Sequence, residues 1–167
     1  MSPRYDVPKA APEPLRQVQQ FLNSINVEHE DDWLPAWLEE HGVGAAELGR
    51  ARALREALRA LALANNGTPP PADAVAVVND AAAALALRVD AERRVAIAGN
   101  GNAIDEVLAC ALRAMLDGSW SRLKACRNCR WSFYDYSPNR SATWCSMQLC
   151  GNRKKTRAYR RRRANAS

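Results

Sequence analysis

The sequence contains no run of 18 apolar residues, and its first twenty residues lack the apolar segment of a secretory signal peptide. We therefore expect no membrane contact and a cytoplasmic protein, in which thiols stay reduced. Only two histidines occur, and neither a GxGxxG nor a GK[ST] motif is present, which argues against a dinucleotide fingerprint and a phosphate loop. Because no acid–base pair or open metal site can be recognised either, we do not expect an enzyme.

Acidic residues are nearly absent from the C-terminal part of the chain. Residues 121–167 contain 13 Lys or Arg and one acidic residue, a net charge of +12, whereas residues 1–120 carry a net charge of −6. An acidic body that ends in a strongly basic module indicates a polyanionic partner for that module, and nucleic acid is the obvious class.

Four of the five cysteines follow one another in the order C-x2-C-x15-C-x4-C. Two close pairs separated by about fifteen residues are typical of a structural zinc site with four thiolates. We therefore expect Cys126, Cys129, Cys145 and Cys150 to hold one zinc ion, with no coordination position left for a water. A disulfide and a four-sulfur iron site are alternatives that the spacing leaves open. Cys110 lies amid apolar residues and is expected to be a buried, inert thiol.

The residues around these cysteines, CRNCRWSFYDYSPNRSATWCSMQLCGNRKK, resemble the CGNR zinc finger. The positions that match the pattern of that family, besides the cysteines, are Phe133, Asp135, Ser137, Asn139, Arg140 and Trp144. Nearer the N-terminus, Phe21–Ser24 and the Trp37-Leu38 pair resemble parts of the ABATE domain, which usually precedes such fingers in bacterial proteins. The resemblance implies a bacterial transcription regulator that binds DNA. An RNA-binding zinc ribbon is the other function that it implies.

Basic residues in and after the finger are the expected nucleic-acid contacts. They are Arg140, Arg153, Lys154, Lys155, Arg157, Arg160, Arg161, Arg162 and Arg163. The residues after Gly151 are predicted to form a helix with basic side chains on every side, which suits contact with backbone phosphates. Groove-reading by a helix favours double-stranded DNA over RNA. The aromatic residues between Trp131 and Tyr136 could instead stack on unpaired RNA bases, or could form the small core of the module. A third alternative is a protein-interaction module in which zinc only holds the C-terminus together.

Hydrophobic periodicity predicts an α+β fold, with a mostly helical body, one β-hairpin, and a small four-cysteine zinc finger followed by a basic helix. Helices are expected after Pro14, after Asp32, over 45–65, over 73–84 and over 103–116, and strands over 84–89 and 93–98. The predicted organisation is a flexible arm at 1–14, an ABATE-like domain at 15–120 and the finger with its basic helix at 121–167.

Some polar side chains of the body admit two interpretations. Asn23 and Ser24 could contact a protein or small-molecule partner of the N-terminal domain, but their position at a helix end favours bonds to nearby backbone. Four arginines of the third predicted helix could bind phosphate, but a solvated face paired with Glu47 and Glu56 is the simpler expectation. These arginines are Arg50, Arg52, Arg55 and Arg59.

Overall fold

A computed structural model describes residues 9–89, 91–153 and 156. Its helices are α1 (Leu15–Leu22), α2 (Leu34–Glu40), α3 (Leu48–Ala64), α4 (Ala72–Ala82) and α5 (Ala103–Asp117). Its antiparallel strand pairs are β1 (Ile25–Asn26) with β2 (Asp31–Asp32), β3 (Ala86–Val89) with β4 (Val95–Ala98), and β5 (Leu123–Ala125) with β6 (Ser132–Tyr134). Short turns of 3-10 helix at Ala45–Glu47 and Ser119–Arg122, and a π-helical turn at Met147–Gly151, complete the description. The α+β prediction is confirmed.

The body is held together by the apolar faces of α1, α2, α3 and α5. Val18 and Phe21 of α1, Leu58 of α3 and Leu108 of α5 are fully buried. The Phe21 ring meets Trp37 of α2 edge-on, with 4.9 Å between the ring centroids. The buried apolar residues of α1, α3 and α5 recur at spacings of three and four, so each of these helices presents one continuous apolar face to the core. No helix within the described ranges is long and apolar enough to cross a membrane.

Capping side chains fix where two of the helices begin. The Oδ1 atom of Asn102 accepts the backbone N–H of Asp105 at 2.9 Å at the start of α5. The Oδ1 atom of Asp32 accepts the N–H of Leu34 at 3.1 Å at the start of α2. Both bonds satisfy helix N–H groups that have no partner inside the helix. Gly118, in the left-handed conformation with φ 82°, ends α5.

The β3–β4 hairpin confirms the predicted pair of strands, with each strand two residues shorter at its first end. Leu87 pairs with Ile97 and Val89 with Val95. The guanidinium of Arg113 on α5 donates to the carbonyl of Ile97 at 2.9 Å, so the inner strand β4 is fastened to the last helix of the body.

Arg55 of α3 corrects the expectation of a solvated arginine face. Its side chain is only 1 % exposed, and its Nη1 atom donates to Asp32 at 2.6 Å and to the carbonyl of Ser24 at 3.2 Å. The short β1–β2 ladder carries Asp32 over α3, and this pairing compensates the buried guanidinium. Arg50 does pair with Glu47 as expected, at 3.1 Å.

The strand pair β5–β6 at the start of the finger packs into the core of the body. Leu123, Ala125 and Tyr134 belong to the same buried cluster as the helices. Residues 9–14 also pack here, although they fall within the predicted arm. Ala11 is 2 % exposed, and the carbonyl of Lys9 accepts the N–H of Tyr134 at 2.9 Å. Residues 1–8 of that arm lie outside the described part of the chain, and the predicted division at residue 120 stays a prediction.

Candidate metal centre

The four predicted thiol ligands converge on one point. All four sulfur atoms lie within 4.8 Å of one another. Cys129 is 3.5 Å from Cys150 and 3.6 Å from Cys145, and Cys145 is 3.7 Å from Cys150. A zinc ion bound to four thiolates at about 2.3 Å places the sulfurs about 3.8 Å apart in a regular tetrahedron, so the arrangement fits zinc. Sulfurs in a disulfide lie only about 2 Å apart, and all four cysteines are free.

Two tight turns present the sulfurs to that point. In the first turn, the N–H of Arg130 donates to the carbonyl of Cys126 at 3.0 Å, and the N–H of Cys126 donates to Trp131 at 2.9 Å. In the second turn, the N–H of Cys150 donates to the carbonyl of Ser146 at 3.0 Å. Each turn is closed by backbone bonds a few residues apart, which is why a sequence pattern can specify the ligands.

The four thiols cannot all ionise beside one another unless a cation is present. Hydrogen bonds from the thiols of Cys129 and Cys145 lower the pKa of Cys126. The same contact with Cys126 raises the pKa of Cys129 to about 12, and it also raises the pKa of Cys145. One thiolate is thus stabilised at the expense of its neighbours. A bound divalent cation favours the thiolate form at all four positions.

A single large apolar side chain forms the core of the finger. Phe133 is fully buried beside the cysteines, with Trp131 and Trp144 half-buried against the same cluster. The neighbouring Tyr134 is 8 % exposed and points into the body, whereas Tyr136 is 62 % exposed. Successive side chains of this strand therefore face opposite sides. Phe133 faces the sulfurs and Tyr134 faces the helices.

A buried ion pair supports the loop between the two cysteine turns. The Nζ atom of Lys124 donates to Asp135 at 2.8 Å and to the carbonyl of Ala142 at 3.1 Å. The two charged side chains are 3 % and 0 % exposed. Burial alone would raise the pKa of Asp135, but hydrogen bonds from Lys124 and Ser137 outweigh it and lower that pKa to about 2. Asp135 is therefore ionised throughout the neutral pH range.

Asn23 fastens the body to strand β6 of the finger. Its Oδ1 atom accepts the backbone N–H of Ser132 at 2.7 Å, and its Nδ2 atom donates to the carbonyl of Ser132 at 2.9 Å. Gln19 donates to that same carbonyl at 3.1 Å. The amide of Asn23 thus bonds backbone 109 residues away, whereas we expected bonds to nearby backbone. Ser24 makes the expected local bond, from its hydroxyl to the carbonyl of Phe21 at 2.7 Å.

Two of the predicted nucleic-acid contacts lie within the described residues. Arg140 is exposed, and its Nη1 atom donates to the hydroxyl of Ser121 at 2.8 Å. Arg153 is also exposed and pairs with Glu28 of the body. Seven further positions lie outside the described residues: Lys154, Lys155, Arg157, Arg160, Arg161, Arg162 and Arg163. The predicted basic helix falls mostly on those positions, and the nucleic-acid contacts stay a prediction.

These features define a four-cysteine zinc-finger protein with an α+β body. Comparison with protein families agrees, since the model of the CGNR zinc finger matches residues 122–163. The model of ABATE, a family described as "Putative stress-induced transcription regulator", matches residues 16–119. Because that match covers more than half of the chain, the chain belongs to the ABATE family, and it carries a CGNR zinc finger with one structural zinc site. No curated protein matches the chain.

Proposed function

We propose that the chain is a cytoplasmic, DNA-binding transcription regulator whose finger and following basic segment contact the phosphate backbone. Membership of the ABATE family supports the regulatory part of the proposal. The zinc ion has a structural role in it, because four thiolates leave no coordination position for a reacting water. The proposal therefore assigns no catalysis to this site.

The observation that carries the proposal is the sign of the charge that the finger exposes. Asp135 is the only acidic residue of residues 121–167, and it is buried and neutralised by Lys124. The charged side chains that the described part of the finger exposes to solvent are consequently basic. They are Arg127, Arg130, Arg140 and Arg153. A surface of this positive sign attracts a polyanion such as nucleic acid and repels a basic partner.

The burial of the aromatic residues favours duplex DNA over single-stranded RNA. Proteins that bind single strands stack successive bases on exposed aromatic rings. Tyr134 lies in the core of the body and offers no such surface, and Phe133 is covered by the cysteines. Tyr136 is the one large aromatic side chain among these that is mostly exposed, at 62 %. Backbone phosphate contact needs no stacking platform and suits the arginines.

A binding titration with the zinc-loaded chain tests the proposal. Fluorescence anisotropy would compare a mixed-sequence duplex DNA, the corresponding single strand and an RNA of equal length at two salt concentrations. We expect a duplex preference, and a slope of log K against log salt of roughly −5 if about six side chains meet phosphates. A preference for the single strands would favour the RNA-binding alternative. Absence of binding at physiological salt would favour the protein-interaction module.

Two variants that remove the same charge distinguish a contact by the C-terminal segment from a general effect of net charge. Arg160→Ala with Arg161→Ala should weaken binding across all duplex sequences and reduce the salt slope by about 2. Arg93→Ala with Arg94→Ala removes the same charge from the exposed loop of the β3–β4 hairpin and should change the affinity little. Equal losses in both variants would contradict a contact by the C-terminal segment.

A further inference from the structure

A pocket of about 260 Å³ lies where helix α3 of the body meets the first cysteine turn of the finger. We call it the junction pocket. Arg59 and Glu56 of α3 and Arg130 of the finger provide its charged groups, and Val27, Leu63 and Ala125 provide apolar surface. Both halves of the molecule thus contribute to one cavity, whose size is just below the usual range for small-molecule sites.

The guanidinium of Arg59 is incompletely paired in this pocket. Its side chain is 15 % exposed, and its Nη2 atom pairs with Glu56. Its Nη1 atom is buried with no hydrogen-bond partner among the described residues. Buried polar atoms of native proteins are nearly always bonded, so an unpaired guanidinium nitrogen calls for a partner that carries oxygen atoms.

The charge of Glu56 does not balance the cations around the pocket. One of its carboxylate oxygens accepts a bond from Arg55 at 3.0 Å, and the other accepts the bond from Arg59. Two guanidiniums therefore share a single carboxylate. Burial lowers the pKa of Arg59, and the nearby charges of Arg55 and Arg130 lower it further, although Glu56 opposes them. Arg55 has Asp32 as a second anionic partner, whereas the only anionic partner of Arg59 among the described residues is Glu56.

The first cysteine turn places Arg130, the second cationic side chain, at the rim of the junction pocket. Arg130 directly follows Cys129 and adopts a left-handed backbone conformation, with φ 66°. Its N–H donates to the carbonyl of Cys126, so the same turn that presents the sulfurs fixes this residue. A non-glycine residue in this conformation is uncommon and is worth explaining. Here the conformation aims an exposed arginine at the junction of body and finger.

We propose that the junction pocket binds a small organic anion, a carboxylate or phosphate monoester with a short apolar group. The oxyanion lies between Arg59 and Arg130, which present guanidinium donors suited to carboxylate and phosphate. The apolar group lies against Val27, Leu63 and Ala125. Because the ligand touches α3 and the finger at once, it stabilises their docking by mass action. The inference does not rest on nucleic-acid binding.

Binding of defined probes to the zinc-loaded full chain tests the site. Titrations followed by amide NMR shifts would use butyrate, butyl phosphate and inorganic phosphate, with n-butanol as the neutral control. We expect saturable binding of butyrate or butyl phosphate, with the largest shifts at Ala60, Leu63 and Ala125. Inorganic phosphate should bind more weakly, and n-butanol should not saturate. Lack of saturation by every anion, or shifts centred elsewhere, would overturn the proposal.

Variants identify the groups that hold the anion. Arg59→Gln should raise the Kd of the bound probe at least tenfold. Arg130→Gln, at an exposed position where misfolding is not expected, should raise it severalfold. Arg52→Gln is the matched control, because Arg52 lies on the same helix and pairs with Asp32 at 3.0 Å, and it should leave the Kd unchanged. Equal affinity in all three variants would contradict the site.

The backbone phosphate of a nucleic acid is the alternative oxyanion for Arg59 and Arg130. Duplex DNA titrated against Arg59→Gln distinguishes the two sources. We expect duplex affinity close to that of the parent chain, with loss confined to the small anions. A large loss of duplex affinity without any small-anion binding would overturn the proposal and make Arg59 a backbone contact. Failure of all nucleic-acid binding would leave the small-anion result standing, so the two proposals fail separately.

Discussion

The helical body and the finger have interiors that are stabilised by different chemistry. The body buries large apolar side chains from four helices, among them Val18, Phe21 and Leu58. The finger buries Phe133 beside three cysteines and has no comparable set of side chains among the described residues. A module this small cannot bury enough apolar surface to offset the loss of chain entropy, so a metal ion has to supply the difference.

The two regions are nevertheless not independent. Leu123 and Ala125 of strand β5 lie in the core of the body, and Asn23 bonds strand β6. The two cysteine turns of the finger depend on zinc, whereas its strand pair β5–β6 is anchored to the helices. The comparison therefore predicts that changes to the metal site and changes to the body core have separable effects, which the following substitutions test.

The largest effect is expected for Cys126→Ser. This change removes one of four zinc ligands, and zinc binding in such modules contributes about 10–16 kcal/mol of apparent free energy. We expect loss of zinc by metal analysis and loss of tertiary structure over the outer finger, while the far-ultraviolet circular dichroism of the body helices persists. Cys110→Ser is the control, since Cys110 is buried in α5 and its thiol bonds the carbonyl of Pro14. Stoichiometric zinc in Cys126→Ser would disprove the ligand assignment.

Phe21→Ala tests the body in the same way. The ring is fully buried and packs edge-on against Trp37, so its removal leaves a cavity that should lower the free energy of unfolding by about 3–5 kcal/mol. Urea denaturation measures this change. Leu87→Ala, at a residue that is 74 % exposed, should change the same quantity by less than about 0.5 kcal/mol. Zinc content should stay at one per chain in both variants, and a parallel loss of zinc would contradict the separation of the two regions.

Asp135→Asn removes the charge that pairs with buried Lys124. Breaking one partner of such a pair leaves an uncompensated charge, and we expect a loss of about 3 kcal/mol in the free energy of unfolding. The folded pKa of Asp135, about 2, lies below its unfolded value. The stability that this carboxylate contributes is therefore complete above about pH 4 and lost as the pH falls toward 2.

Because the folded pKa of Asp135 is lowered, the effect of Asp135→Asn is measured by denaturation at several pH values. The difference in unfolding free energy between the parent chain and Asp135→Asn should be constant between pH 6 and pH 8, where zinc also stays bound. Asp80→Asn, at an exposed position on α4, serves as the control and should cost little at any of these pH values. A difference that varies strongly over this range would mean that another titrating group controls the pair.

Local patterns in the sequence predicted the helices and the metal ligands, because both depend on residues close together in the chain. The apolar positions Leu15, Val18 and Phe21 follow one helical face, and each cysteine pair lies on a single turn. Such features need only spacing to be recognised.

Contacts between distant polar side chains could not be predicted in this way. The burial of Arg55 depends on the β1–β2 ladder, which carries Asp32 to it. The bond between Asn23 and Ser132 depends on where the finger docks. One sequence signal was available for the ion pair, namely a lone acidic residue among the 13 basic ones of the C-terminal part. An isolated charge of that sign is expected to find a specific partner.

The smallest of the four effects is expected for Asn23→Ala, and it tests the connection between the two regions. The substitution leaves the buried N–H of Ser132 without its acceptor, whereas the carbonyl of Ser132 keeps its bond from Gln19. An unsatisfied buried donor costs about 1–3 kcal/mol. Urea denaturation should register that loss, and hydrogen exchange at the Ser132 amide should accelerate.

Asn26→Ala is the control for this connection, because the side chain of Asn26 accepts the nearby N–H of Glu28, at 3.1 Å. It should leave exchange at Ser132 unchanged. Zinc content should stay at one per chain in both variants, since the sulfurs are held by their own turns. Unchanged protection of Ser132 in Asn23→Ala would mean that the shared apolar core, and not the asparagine, docks the finger on the body.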